Sequence, residues 1–359
     1  MIPAGPPSFF FGEDHRRKCL YSGGRLLDPW SRGVIRSWDV ADWHIEPAEY
    51  RVRLHLKRGG DVIIECDERG VAIIEDGHRA MVTQSALRLP RFDGHPRGAL
   101  LRVLYHDLLV NIVDGRPVAN LLALPRPSLR HAAMMAMALR ETGNLDLIAP
   151  WILSLRDPFE GAPTSAASSP GPSGSPDAIG QALYLASLVG GRSHPLADAA
   201  LRAIPRFRHG HCICGITDGA QHPVYQTKWL KFGLRALGLD DPYVIPRTYD
   251  SYSSIFWMDF RDQHVAGRPL TARQRRLHPH LHWAEAHFHG WAPPVIPEPG
   301  TYPITWDARD PAGDFASMSV LGSSYVRRQI AAPHGGHAAE MLLYLLHHGN
   351  GAPSGNSTC

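Results

Sequence analysis

At Pro127 the spacing of apolar residues changes, and that change constrains the fold more than any other feature. Before it, Tyr50-Arg51-Val52-Arg53-Leu54-His55-Leu56 alternates with a period of two, the pattern of a strand with one buried face. Gly59-Gly60 then supplies a turn, and Asp61-Val62-Ile63-Ile64-Glu65-Cys66 returns as a second strand. Ser22-Gly23-Gly24 reads as another turn. Leu108 to Val113 and Val118 to Leu122 read as strands on either side of Asp114-Gly115, whose residues tolerate the positive φ of a tight hairpin. Residues 1–126 are therefore expected to form a small antiparallel β domain.

After Pro127 the chain is rich in helix formers. Leu129 to Leu139 is a run of Ala, Met and Leu that Gly143 closes, and Leu145 to Leu155 follows as a second helix. Further helices are expected at Ala178 to Val189, Pro195 to Ile204, Pro223 to Leu237, Pro246 to Phe260, His280 to Phe288 and His334 to His347. Pro195, Pro223 and Pro246 sit where a first helical turn tolerates proline. The short Gly/Pro connections imply antiparallel helical hairpins over residues 127–348. Residues 161–176 contain only Gly, Ala, Pro, Ser and Thr, too little apolar surface to pack, and are expected to be a mobile loop. The polar tail, residues 349–359, is expected to be disordered. The fold class is thus α+β.

Composition narrows the function. An apolar share of 44 % supports a sizeable core, and a net charge of +3 without a dense Lys/Arg tract gives no reason to expect nucleic acid. Cys19, Cys66, Cys212, Cys214 and Cys359 are odd in number and scattered, which suits free thiols in a reducing compartment. Near the start, the positive charges follow Phe9-Phe10-Phe11, the reverse of a secretory signal. No stretch approaches the roughly 20 apolar residues of a membrane span. A cytoplasmic protein that does not enter a membrane is expected, of undetermined oligomeric state.

Three segments concentrate chemistry. In Asp218 to Trp229, a helix starting at Pro223 would put Tyr225, Gln226 and Trp229 on one stripe that runs on to Gly233 and Ala236, with His222, Asp218 and Lys228 nearby. Such a stripe is either a helix contact or a cavity wall whose aromatics stack on a ligand. In the next segment Asp250, Ser253, Ser254, Trp257 and Arg261 fall at helical spacing, with Tyr252, Ile255 and Phe256 on the other face. A carboxyl buried beside Trp would have a raised pKa and suit a general acid, so Asp250 and Asp259 are candidates; either could instead be a cap or an ion-pair partner. The third segment, His278 to His289, holds five histidines. His282 with Glu285, and His337 with Glu340, form two His-x-x-Glu pairs that could converge on a metal, although neither the spacing nor the order matches a known helical metal motif. No cofactor is otherwise expected. His209-Gly-His211-Cys212-Ile-Cys214 reads as a strand or loop rather than a zinc knuckle, and no phosphate loop, dinucleotide fingerprint or nucleophile elbow is present.

Helical hairpins, inner faces rich in Trp, Tyr and carboxylate, a preceding β domain and the late His337-Ala-Ala-Glu340 element together resemble the α-toroid (six-hairpin-type) glycosidases and related polysaccharide lyases. Leu129-Arg130-His131-Ala132-Ala133-Met134 looks like the start of an early helix of that group, with His131 where an acid would stand. The resemblance spans about residues 127 to 348, room for a reduced toroid only. It implies an enzyme acting on an oligosaccharide or similar small molecule through carboxylate acid/base chemistry. Asp218, Asp250, Asp259 and Glu340 would be the acids, His222, Tyr225 and His337 their polar support, and Gln226, Lys228, Trp229, Trp257, Arg261 and Trp283 would bind substrate. A lyase, cyclase or isomerase would instead use a His/Tyr pair such as His222 with Tyr225. A non-catalytic binding or scaffold protein with a degenerate site is the third possibility.

Overall fold

In a computed structural model, the described residues are 8–12, 18–28, 31, 33–121, 124–160, 174–248, 250, 252 and 334–348. They form a mixed α+β protein with antiparallel sheets toward the N-terminus and, among the described residues, seven α-helices. The contacts divide the chain into two compact units. One contains the chain up to Pro127, Met137–Leu147 and the helix Gly335–His348; the other contains Ser128–Ala136 and the residues from Ile148 to Tyr252.

In the first unit, β1 (Ser8–Phe11), β2 (Cys19–Ser22), β3 (Arg25–Leu27) and β4 (Val34–Ser37) form one antiparallel meander. The turn between β2 and β3 is Gly23-Gly24, both at positive φ (55° and 78°), as the sequence requires. A second meander contains β5 (Val40–Glu46), β6 (Arg51–Leu56), β7 (Asp61–Asp67), β8 (Gly70–Glu75) and β9 (His78–Met81). The period-two reading holds here residue by residue: Val52 and Leu54 of β6, and Val62, Ile64 and Cys66 of β7, are buried. Their alternate neighbours face outward, so Arg51 and Glu65 pair across the strands at 3.0 Å. Phe9, Phe11, Tyr21, Tyr50 and Ile73 complete the core.

The strand expected at Leu108 to Val113 is only partly extended: Leu108 and Leu109 end a helix, and Val110 and Asn111 form a turn. Helix α1 is Gly98–Leu109, and only Ile112–Val113 (β10) remains extended. The cause is burial on all sides: Leu100, Leu101, Val103, Leu104, Tyr105, Leu108 and Leu109 leave no polar stripe, so the run lacks a helical period to read. The Asp114-Gly115 turn does join β10 to β11 (Arg116–Asn120), with φ of 49° and 69° at the two turn residues. Strand β12 (Leu124–Pro127) pairs with β11. Helix α7, Gly335–His348, packs against α1 in this unit.

Helix α2, Leu129–Glu141, contributes its first half to the second unit and its second half to the first. The helix expected over Leu145 to Leu155 is split into a short 3-10 turn, Leu145–Leu147, and α3, Ala149–Ser154. Pro150 lies in the first turn of α3, the position that tolerates its missing N–H. Helices α5 (Pro195–Phe207) and α6 (Pro223–Ala236) begin at the expected prolines, and α4 (Pro176–Val189) begins two residues before the expected Ala178. Between α5 and α6 lie two small hairpins, as a strand or loop reading required. They are β13 (Arg208–His209) with β14 (Cys212–Ile213), and β15 (Ile216–Thr217) with β16 (Ala220–Gln221).

The helix expected from Pro246 does not start there. Residues 241–248 form an irregular strap, in which Val244 N–H donates to the His211 carbonyl at 2.7 Å. Tyr243 N–H is likewise turned away, to the Asp241 carboxylate at 3.3 Å. The rest of that helix, the His280 to Phe288 helix, residues 161–173 of the expected loop and the tail 349–359 lie outside the described residues. Pro176, expected to end the loop, is the first residue of α4.

Candidate functional site

The site is built at the N-terminal end of α6. The first turn of a helix leaves backbone N–H groups without intrahelical acceptors, and a carboxylate there is also favoured by the helix dipole. His222, which precedes the helix, provides no side-chain cap. Asp250 does so from a distance: its Oδ2 accepts the Tyr225 N–H at 3.0 Å. Its Oδ1 accepts the Tyr252 N–H at 2.8 Å and lies 2.9 Å from Nδ1 of His222. Asp250 and His222 are both buried. Both carboxylate oxygens already accept a backbone N–H, so the carboxylate acts as acceptor and the imidazole carries its proton on Nδ1. In the neutral ring the lone pair is then on Nε2. This is the base-and-orienter geometry of proton-transfer sites.

Tyr252 lies over the imidazole, with ring centroids 3.8 Å apart and planes within 12°. Tyr225 meets the Tyr252 ring edge-on, with centroids 5.8 Å apart. The Tyr252 hydroxyl donates to Asp218 Oδ2 at 3.1 Å. Burial, and then the neighbouring Asp218 charge, push that phenol up to about 12, so Tyr252 keeps its proton across the physiological range. Asp218 occupies the turn of the second hairpin at φ 50°, with Gly219 at 82°, a pairing that favours Asp-Gly.

Arg130, in the first turn of α2, ties this arrangement together. One amino group donates to Asp218 Oδ2 at 2.7 Å, its Nε donates to Asp177 Oδ2 at 3.1 Å, and its carbon centre lies 5.9 Å from the Tyr225 ring centroid. Burial alone would raise the Asp218 carboxyl, but Arg130 beside it, with the Tyr252 hydroxyl, outweighs burial and holds it below the ordinary range. For Arg130 itself, burial opposes the charge, while Tyr225, Asp177 and Asp218 overcome that and hold it well above its usual value. Asp177, fully buried on α4, also accepts from Gln181 at 2.9 Å and Thr217 at 2.9 Å.

The structure thus gathers Asp218, His222, Tyr225 and Asp250 of the expected residues. Asp250 is not on a helix; it is a cap supplied from the strap side, one of the two roles the sequence left open. Gln226 is buried with its amide committed, Nε2 donating to the Gly215 carbonyl and Thr217 hydroxyl at 2.9 Å each, and Oε1 accepting the Gly215 N–H at 3.2 Å. Lys228 and Trp229 are also buried, and Trp229 lies edge-on to Phe232 at 6.1 Å. The Tyr225, Gln226 and Trp229 stripe is therefore an inner helix face. His337 and Glu340 lie on α7 in the other unit, where His334 Nδ1 accepts the His337 N–H at 3.0 Å and the two imidazoles stack at 3.5 Å. Asp259, Trp257, Arg261, Trp283, His282 and Glu285 lie outside the described residues.

Arg130, Asp177 and Tyr252 were not singled out for these roles by the sequence. Tyr252 was expected on the helix face opposite Asp250, whereas both residues meet at the start of α6. Among the described residues, no group of three or more His, Cys, Asp or Glu side chains is placed to hold a metal, and no helix is long and apolar enough to cross a membrane. No protein-family model, no curated protein and no solved structure matches this chain.

Proposed function

We propose that this chain is a carbohydrate-active enzyme in which His222 is the general base and Tyr252 the general acid. This is the His/Tyr form of the chemistry, a lyase or isomerase, acting within a reduced toroid of helical hairpins. The observation that carries it is the short contact of His222 Nδ1 with buried Asp250 beneath the stacked Tyr252 ring. Asp250 orients the imidazole and stabilises the cation that forms when Nε2 takes a proton.

In an elimination, Nε2 takes the proton from carbon, the electron pair forms a C=C bond, and the C–O bond to the departing sugar breaks. The departing oxygen takes the Tyr252 proton. The geometry favours this over a pair of carboxylates, because a carboxylic general acid needs a raised pKa. Asp218 is held low by Arg130, and Asp250 is occupied as an acceptor of three hydrogen bonds.

Incubation of the purified protein with a panel of acidic and neutral polysaccharides tests the reading. Unsaturated product, followed by its ultraviolet absorbance, should form with the native chain and disappear with His222→Ala. Tyr252→Phe, which keeps the stacked ring, should lower the rate by roughly 10²- to 10⁴-fold. New reducing ends without unsaturation would point to hydrolysis, and turnover indifferent to both substitutions would remove His222 and Tyr252 from the chemistry.

A further inference from the structure

From Ala199 to Thr217 the chain carries Arg202, Arg206, Arg208, His209 and His211 and no carboxylate. Arg202 and Arg206 stand one turn apart on α5, Arg208 and His209 form β13, and His211 lies in the turn that follows. All five are exposed. Arg202 has an acidic partner, Asp157, at 3.1 Å. Arg206 donates instead to the Phe159 carbonyl at 2.9 Å and Arg208 to the Gly210 carbonyl at 3.0 Å. Among the described residues neither guanidinium meets a carboxylate. Each bond uses one of five N–H donors and neutralises nothing.

An arginine-rich surface of the first unit behaves differently. On the sheet of β5 to β9, Arg51 pairs with Glu65 and Glu46, Arg53 with Glu46, and Arg79 with Glu65 and Asp67. Charges there are matched one against another; at Arg206 and Arg208, among the described residues, they are not.

The strip is also held in place. Arg208 stands 5.9 Å from the Tyr243 ring centroid, and His211 O accepts the Val244 N–H. The second strand of its hairpin is fastened to α6, where Ile213 N–H donates to the Thr227 hydroxyl at 3.1 Å and Gly215 N–H to Gln226. The helix that presents His222 and Tyr225 thereby also carries the basic hairpin.

We infer that the Arg206–Arg208–His209–His211 strip binds the acidic groups, carboxylate or sulfate, of a polysaccharide that the neighbouring site acts on. This rests on the carbohydrate reading proposed above. A guanidinium fork matches a planar carboxylate or a sulfate with two parallel hydrogen bonds, and repeated charges along a glycan suit donors repeated along a strip. Nucleic acid fits less well. Single-stranded nucleic acid is bound largely by aromatic rings on which bases stack, and among the described residues of this unit the large apolar side chains exposed are Leu153, Ile216 and Val244, with Tyr243 buried.

Affinity electrophoresis of the full chain tests the inference, through gels containing polygalacturonate, dextran sulfate, neutral dextran or a single-stranded oligonucleotide. Retardation by polygalacturonate or dextran sulfate is expected, the stronger of the two naming carboxylate or sulfate, with none by neutral dextran. The double variant Arg206→Ser/Arg208→Ser should bind about tenfold more weakly, in line with two partly screened charge-assisted contacts. A control lacking two exposed charges of the other unit, Arg58→Ser/Arg116→Ser, should bind like the native chain. Equal loss in the control, equal retardation by neutral dextran, no binding of either acidic glycan, or tighter binding of the oligonucleotide would each overturn the assignment. His222→Ala should retain full binding while losing turnover. Binding to the strip without any turnover by the native chain would sink the catalytic reading and leave the strip standing.

Discussion

The backbone of Gly180 on α4 lies against that of Trp229 on α6 so closely that a methyl group on Gly180 would sit 2.1 Å from the Trp229 carbonyl carbon and oxygen. Gly233, one helical turn on, meets the Gly180 carbonyl in return, with 2.4 Å available to a methyl group there. No rotamer relieves a clash between backbone atoms, so the helices must separate. Gly180→Ala should therefore destabilise the protein. Overpacking of about 3 kcal/mol outweighs the roughly 1 kcal/mol that alanine returns in helix propensity, a net loss near 2 kcal/mol. Chemical denaturation reads this directly, and an unchanged or raised midpoint would mean that the two helices do not cross at these glycines.

Arg130 holds Asp177, which is buried, and Asp218, whose side chain is 52 % exposed, so the cost of removing it falls mainly on Asp177. Asp177 keeps Gln181 and Thr217 as donors, which offsets part of the loss. Arg130→Ala should cost about 3 kcal/mol, near the low end for breaking a buried pair. Asp218→Asn, which removes only the screened partner, should cost under about 1 kcal/mol. Equal losses from the two substitutions in denaturant melts would contradict this division.

The contrast between these pairs explains how much could be read in advance. Period-two alternation in β6 and β7 and the Asp114-Gly115 turn are local signals, and they survive in the structure because each side chain's face is decided by its immediate neighbours. Helix α1 was hidden because burial on every side erases periodicity. The site was half legible. Asp218, His222 and Asp250 stood out by residue type, but Arg130 joins Asp177 and Asp218 across 47 and 88 residues, and Tyr252 joins Asp218 across 34. No spacing rule reaches that far. Asp250 was expected on a helix face and instead caps another helix; the strap before it follows an irregular course, with Val244 N–H bonded to the His211 carbonyl.

In the first unit, His347 Nε2 meets Glu141 Oε1 at 2.9 Å. The hydrogen bond to Glu141, ahead of an opposing desolvation effect, raises the imidazole above its ordinary value. A raised folded-state pKa stabilises the fold fully below the unfolded value, about 6.5, and that contribution disappears as pH rises through the raised value. The gap in melting temperature between the native chain and Glu141→Gln should therefore be larger at about pH 5.5 than at about pH 8.5. A gap that is constant or widens with pH would show that the pair does not form. Because the His347 side chain is 45 % exposed, solvent screening keeps the effect small.

The catalytic reading depends on which nitrogen of His222 carries the proton, and long-range ¹H–¹⁵N correlation of the histidine side chains measures it without any substrate. His222→Gln identifies the resonance by its loss. The neutral ring should be the Nδ1–H form in the native chain, with Nε2 showing the shift of an unprotonated nitrogen, and Asp250→Ala should abolish that preference. A native His222 protonated on Nε2, or a tautomer indifferent to Asp250, would contradict the account.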